Sequence, residues 1–127
     1  MATLGKDDLA PIDLLEGIRR RGRAWEDLIV QYGVKNPDPP WKVTLDATCD
    51  ILAAESCAAE GQVDDPVLPV LERRAEEDEL SSGTYEGVPF PERQLLALAH
   101  SLIRRGLIDE KELALRMKQV HERLTSA

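Results

Sequence analysis

Apolar residues in this chain recur at intervals of three and four, with no strict alternation over more than a few positions, so the pattern predicts helices throughout. Ile12, Leu15 and Ile18 begin such a pattern behind Pro11, a first-turn residue, and Gly17 and Gly22 interrupt it. Trp25, Leu28, Ile29 and Tyr32 then share one face, and Gly33 supplies a stop, giving two short helices or one broken one. The prolines in Lys35-Asn36-Pro37-Asp38-Pro39-Pro40 each remove an amide donor and restrict the residue before them, which makes this stretch an extended linker.

Leu45, Thr48, Cys49 and Leu52 resume helical spacing, in a helix expected from Val43 to Glu60 and ended by Gly61. Asp64-Asp65-Pro66 reads as a cap and first-turn proline for a helix running through Leu68 and Leu71 toward Leu80, with Pro69 still in its first turn. Ser81-Ser82-Gly83 releases the chain into a stiff strap, Gly87-Val88-Pro89-Phe90-Pro91. Pro91 starts the next helix, with Leu95, Leu98 and Leu102 on one face and Leu96, Ala99 and Ile103 beside it, and Gly106 ends it. Asp109 and Glu112 have capping-box spacing, and Leu113, Met117, Val120 and Leu124 form the stripe of a last helix.

The predicted class is all-α: an N-terminal helical extension over 1–34, a Pro-rich linker over 35–42, and a helical domain over 43–127 that ends in an antiparallel helical hairpin. Composition agrees, since 43% of the 127 residues are hydrophobic and only 4% aromatic, so the core is built from Leu, Ile, Val and Ala. Sixteen Lys and Arg against 24 Asp and Glu leave a net charge of −8, which repels phosphate backbones and anionic lipid heads. Nucleic acid and membranes are therefore not expected partners. No apolar stretch approaches the roughly 20 residues of a membrane span, and no signal-peptide pattern opens the chain, so a cytoplasmic location is expected.

Free-standing chemistry is hard to find. On one continuous helix Cys49 and Cys57 would lie eight positions and roughly 12 Å apart, too far for a disulfide, and they lack zinc-site spacing to His100 or His121. Glu76, Glu77, Asp78 and Glu79 point in successive directions around a helix and read as a solvated face. His100 sits at the edge of an apolar face as a partly exposed packing residue, and Ser81, Ser82 and Ser101 have no neighbouring base. Arg73 and Arg74 stand out because two guanidiniums just before a stiff strap can present forked donors to a partner's oxyanions. Pairing with Glu76, Glu77 or Asp78 one turn on is the plainer use, worth about 0.3–0.5 kcal/mol per pair.

Taken in order, Trp41, Ala47-Thr48-Cys49, Glu72-Arg73-Arg74, Tyr85-x-Gly87-x-Pro89-Phe90, Arg93-x-Leu95-Leu96 and Gly106-Leu107-Ile108 resemble the helical β-type, non-metal subunit of the nitrile hydratase and thiocyanate hydrolase superfamily. The likeness covers roughly Trp41 to Arg123 and is nearest to the separate helical subunit of three-chain assemblies. It implies that no cofactor is bound by this chain and that cobalt(III) or iron(III) sits in a partner, held by a CxxCSC-type loop with oxidised thiolates. The implied partners are that metal-binding subunit and a small β-barrel subunit, with a small nitrile or thiocyanate substrate at the interface. By position, Arg73 and Arg74 match the arginines that hydrogen-bond the oxidised sulfurs, and Trp41, Tyr85, Pro89, Phe90 and Arg93 match interface positions.

The implied reaction is hydration of a carbon–nitrogen triple bond, of lyase or hydrolase type, in which this chain is not catalytic alone. Two other readings use the same residues. One is an activator that delivers metal to nitrile hydratase, since such proteins share the helical hairpin. The other is a non-enzymatic helical adaptor anchored by Trp25, Tyr32, Trp41 and Phe90.

Overall fold

A computed structural model describes residues 4–54, 56–57, 63–64 and 66–126. Within them a 3-10 turn at Lys6–Leu9 precedes α1 (Asp13–Arg21), α2 (Trp25–Tyr32), α3 (Lys42–Ala53), α4 (Val70–Ser81), α5 (Phe90–Arg104) and α6 (Glu110–Thr125). The class is all-α. A two-residue antiparallel ladder between α3 and α4 pairs β1 (Ser56–Cys57) with β2 (Val63–Asp64), a feature that the apolar pattern did not signal.

Local chemistry sets most of the boundaries. Gly22 and Gly33 end α1 and α2 in the left-handed region, at φ 63° and 67°, where a side chain would be strained. Gly17 lies inside α1 and does not interrupt it. Asp109 caps α6 by accepting the Glu112 amide at 2.9 Å.

Two expected boundaries move. The helix opened by Lys42 ends at Ala53 rather than Glu60, because the Leu68 amide binds the Leu52 carbonyl at 2.9 Å and closes that end. Cys49 and Cys57 are thus not on one helix, and the proposed stop at Gly61 lies outside the described residues. The next helix opens at Val70 behind Pro69 rather than at Pro66, since Leu68, as a residue preceding proline, is held out of the helical region. Asp64 belongs to β2 and Asp65 lies outside the described residues.

Two apolar clusters form the core, and α5 feeds both. Ile12, Leu15, Leu80, Tyr85, Leu96 and Ala97 make the first; Leu45, Cys49, Leu68, Leu98 and Leu102 make the second. Each fully buried leucine contributes about 1.5–3 kcal/mol. Ile12 and Leu15 tie the N-terminal stretch into the chain's own core. No helix among the described residues is long and apolar enough to cross a membrane.

A buried charge cluster joins α4 to the end of α5. Arg105 donates to both Glu76 carboxylate oxygens, at 2.8 and 2.5 Å, and to Glu72 at 2.6 Å. Ser101 Oγ donates to Glu76 Oε1 at 2.7 Å, and the Arg105 and Glu76 side chains are only 5% and 6% exposed. Glu76 therefore does not belong to a solvated face; Asp78 and Glu79 remain exposed. The Glu76 carboxylate pushes the Arg105 guanidinium further toward its charged form against the opposing effect of burial.

Removing one partner of such a pair strands the other charge without water. Arg105→Met is expected to lower the free energy of urea unfolding by about 3–5 kcal/mol, against less than about 0.5 kcal/mol for the exposed control Glu79→Gln. A loss below about 1 kcal/mol would mean that the cluster is solvated in solution.

Candidate functional site

The residues singled out along the chain separate into three places. Pro89 fixes the start of α5 from a conformation of φ −58° and ψ 156°, and its carbonyl accepts the Arg93 amide at 2.8 Å. Phe90 is thereby held at the helix tip with its ring half exposed, and Arg93 follows about one turn on. From α4, Arg74 reaches the same shallow cavity of about 440 Å³, whose other walls are Glu77, Asp78, Ser81 and Ser82.

Phe90 is the organising group of this cluster. Its ring centroid lies 5.8 Å from the Arg93 guanidinium carbon and 5.4 Å from Lys42 Nζ, so two cations share one aromatic ring. Lys42 was not among the residues that the sequence suggested. Its signal is faint, an i,i+4 pair with Asp46 at 2.5 Å on the first turn of α3. The Lys42 hydrogen bond is the chief cause of the lowered pKa of Asp46.

Arg73 takes a neighbouring position, on the other side of Glu77. Its Nη1 is 3.7 Å from Glu77 Oε2, and Arg73 and Glu77 are each mostly buried. The Nε groups of Arg73 and Arg93, both donors, are buried without an acceptor, and Gln94 Oε1 nearby has no donor. Gln94 spends its amide nitrogen on Asp46 at 3.2 Å. The Nε atoms of Arg73 and Arg93, like that of Arg105, are enclosed by the chain itself, so the donors that Arg74 and Arg93 can offer an outside oxygen are those facing the open cavity.

Tyr85 and Trp41 are placed differently. Trp41 flanks α3 and packs on the second core cluster. Tyr85 is fully buried, and its hydroxyl lies 2.6 Å from His100 Nδ1. His100 is also fully buried, not partly exposed, and its Nε2 lies 2.6 Å from the Asp8 carbonyl. A carbonyl only accepts, so Nε2 carries the proton and the Tyr85 hydroxyl donates to Nδ1. Arg104 adds donors to the carbonyls of Asp8 at 3.0 Å and Ala10 at 2.7 Å, and Thr84 Oγ1 donates to that of Leu9 at 2.6 Å. Tyr85 and His100 therefore clasp the N-terminal segment and do not face a partner.

Ser101 does have a carboxylate neighbour, Glu76, which its position in the sequence did not reveal. Ser101 is 2% exposed and Glu76 is held by Arg105, so substrate cannot reach the pair. Burial also pushes the Cys49 thiol up, away from the reactive thiolate. Among the described residues, no three His, Cys, Asp or Glu side chains are grouped so as to hold a metal ion.

No family model, no curated protein and no solved structure matches the chain.

Burial holds the His100 pKa below its ordinary 6.5, so folding favours the neutral ring. Its contribution to stability is full above that pH and declines as pH falls toward the folded-state value, because the unfolded chain then binds the proton more tightly. Urea unfolding between pH 8 and pH 5 is expected to show this fall for the native chain. His100→Gln should lose the part of the slope that belongs to the ring, and identical slopes would contradict the assignment.

Proposed function

We propose that this chain is the metal-free helical subunit of a multichain hydratase or hydrolase of the nitrile hydratase and thiocyanate hydrolase type. In that role Arg74 and Arg93, with Arg73 alongside, donate hydrogen bonds to the oxidised cysteine ligands of a partner subunit. The observation that carries the reading is the meeting of Arg74, Arg93 and the half-exposed Phe90 around one open cavity. Arg74 and Arg93 line that open cavity, and guanidiniums offer the paired donors that a sulfinate or sulfenate oxygen takes.

The partner's cobalt or iron supplies Lewis-acid activation of the substrate's carbon–nitrogen triple bond. This chain's contribution is to hold guanidiniums that stay protonated at any working pH and to close one wall of the site with Phe90. Glu77 and Asp78 also stand in the cavity wall, and Glu77 lies 3.7 Å from Arg73. Val43, Ile51 and Leu71, each more than 70% exposed, are apolar positions that a partner surface would cover.

The same surface serves a metal-delivery accessory, and the exposed apolar positions support that second reading equally. Co-purification separates the two: a subunit stays at fixed stoichiometry with the metal-loaded CxxCSC chain, whereas an accessory is found only with the metal-free form.

When the chain is co-expressed with a CxxCSC-bearing partner, Arg73→Ala and Arg74→Ala are each expected to lower nitrile or thiocyanate turnover by about 10²-fold or more, the scale of a lost oxyanion donor. Arg93→Ala should behave likewise, with the complex still assembled and this chain still helical by circular dichroism. Near-normal turnover in all three variants would remove the case for the arginines.

A further inference from the structure

Within the described residues α6 buries none of its 16 side chains, and from Lys118 to Ser126 every residue is exposed. The last two turns therefore project from the body, although a helix this short is marginal in water without a surface to pack on. The projecting part is not polar throughout. Leu113, Met117, Val120 and Leu124 are spaced four, three and four apart, the seam of a helix that pairs with another helix. Val120 and Leu124, toward the free end, are 41% and 76% exposed.

The first half of the same stripe is placed differently. Leu113 and Met117 line an open, largely apolar cavity of about 560 Å³ between α1, the start of α2, the strap, α5 and α6, to which Leu95 and Ala99 also contribute. It shares no lining residue with the arginine cluster. Because α6 is one continuous helix, its own free end runs past this cavity and cannot turn back into it.

The two surfaces are opposite in charge. Glu26, Asp27 and Glu86 are exposed at the cavity's edge, against Arg23 and an Arg19 already paired with Glu16. Along α6, Arg116 and Arg123, seven positions apart, flank the apolar stripe on one side, while Glu122 points away from it. Arg116 has only the exposed Glu112 beside it, at 3.8 Å. The net charge of −8 opposes self-association, so a contact between copies depends on this local match.

We infer that two copies of this chain associate about a two-fold axis, the free end of each α6 seated with Val120 and Leu124 at the apolar cavity of the other. Antiparallel crossing sets Leu124 of one copy against Leu113 of the second and Val120 against Met117, so each stripe is covered along its length and the contact closes on itself. Arg116 and Arg123 of one copy then run along the acidic edge of the other. None of these residues belongs to the arginine cluster, so the inference stands or falls separately from the proposed hydratase role.

Sedimentation velocity of the full chain tests it. In low salt, dimer is expected to grow between about 1 and 300 μM protein, and its affinity to fall at least about tenfold in about 0.5 M salt. Val120→Glu combined with Leu124→Glu, at exposed positions, should leave a monomer that is still helical by circular dichroism. Charge exchange locates the contact. Glu26→Lys with Glu86→Lys in one chain, and Arg116→Glu with Arg123→Glu in another, should each weaken the dimer at least about tenfold. Mixing the two chains should restore association, because both contacts of the mixed dimer again pair opposite charges. A monomer at every concentration, which would leave the stripe of α6 to a different protein, overturns the inference. So does a dimer that survives Val120→Glu with Leu124→Glu, or a mixture no better associated than either chain alone.

Discussion

The fork of Arg105 into Glu76 and Glu72 is the constraint from which the placement of the other charged groups follows. A charge this deeply buried is tolerable only when paired, here through both Nη groups of Arg105, so α4 cannot rotate or slide against the end of α5 without stranding it. Glu72 and Glu76, four positions apart, define the inward face of α4. One residue beyond Glu72, Arg73 is turned by about 100° and lies mostly covered; Arg74, turned by about 200°, faces away from α5's end into solvent. The different fates of two adjacent arginines are thus set by a third one, 31 positions after Arg74.

A second polar network fixes the other side of α5. His100 and Arg104, four positions apart on that helix, reach the carbonyls of Asp8, Ala10 and Pro11, with Thr84 on that of Leu9. These groups satisfy backbone acceptors that a non-helical segment would otherwise leave without partners when it is covered. Ile12 and Leu15 can then enter the core directly behind the clasp. Polar pairing and apolar burial here act on the same few residues, so the N-terminal stretch behaves as part of the packed body.

With α5 held on both sides, its exposed elements become fixed platforms. The N-terminal tip carries Phe90 and Arg93 toward Arg74, while Glu92, Leu95, Leu96 and Ala99 turn a different face toward the large apolar cavity. One helix thereby contributes to two separate cavities, one lined by arginines and one largely by apolar side chains. Helices place side chains in successive directions, so neighbouring residues such as Glu92 and Arg93 serve separate surfaces.

By itself the sequence determined the helical class, the stops at Gly22, Gly33 and Gly106, the cap at Asp109 and the strap leading into α5, because these depend on residues within a few positions of one another. It also singled out Arg74, Phe90 and Arg93, though not that they meet. Only the tertiary structure decided that Glu76 is buried with Arg105, that Tyr85 and His100 form an internal clasp, that Lys42 joins Phe90, and that Glu92 accepts the Trp25 amide. Each of those facts depends on contacts between residues 15 to 92 positions apart, and a charged or polar side chain carries no local mark of whether such a partner awaits it.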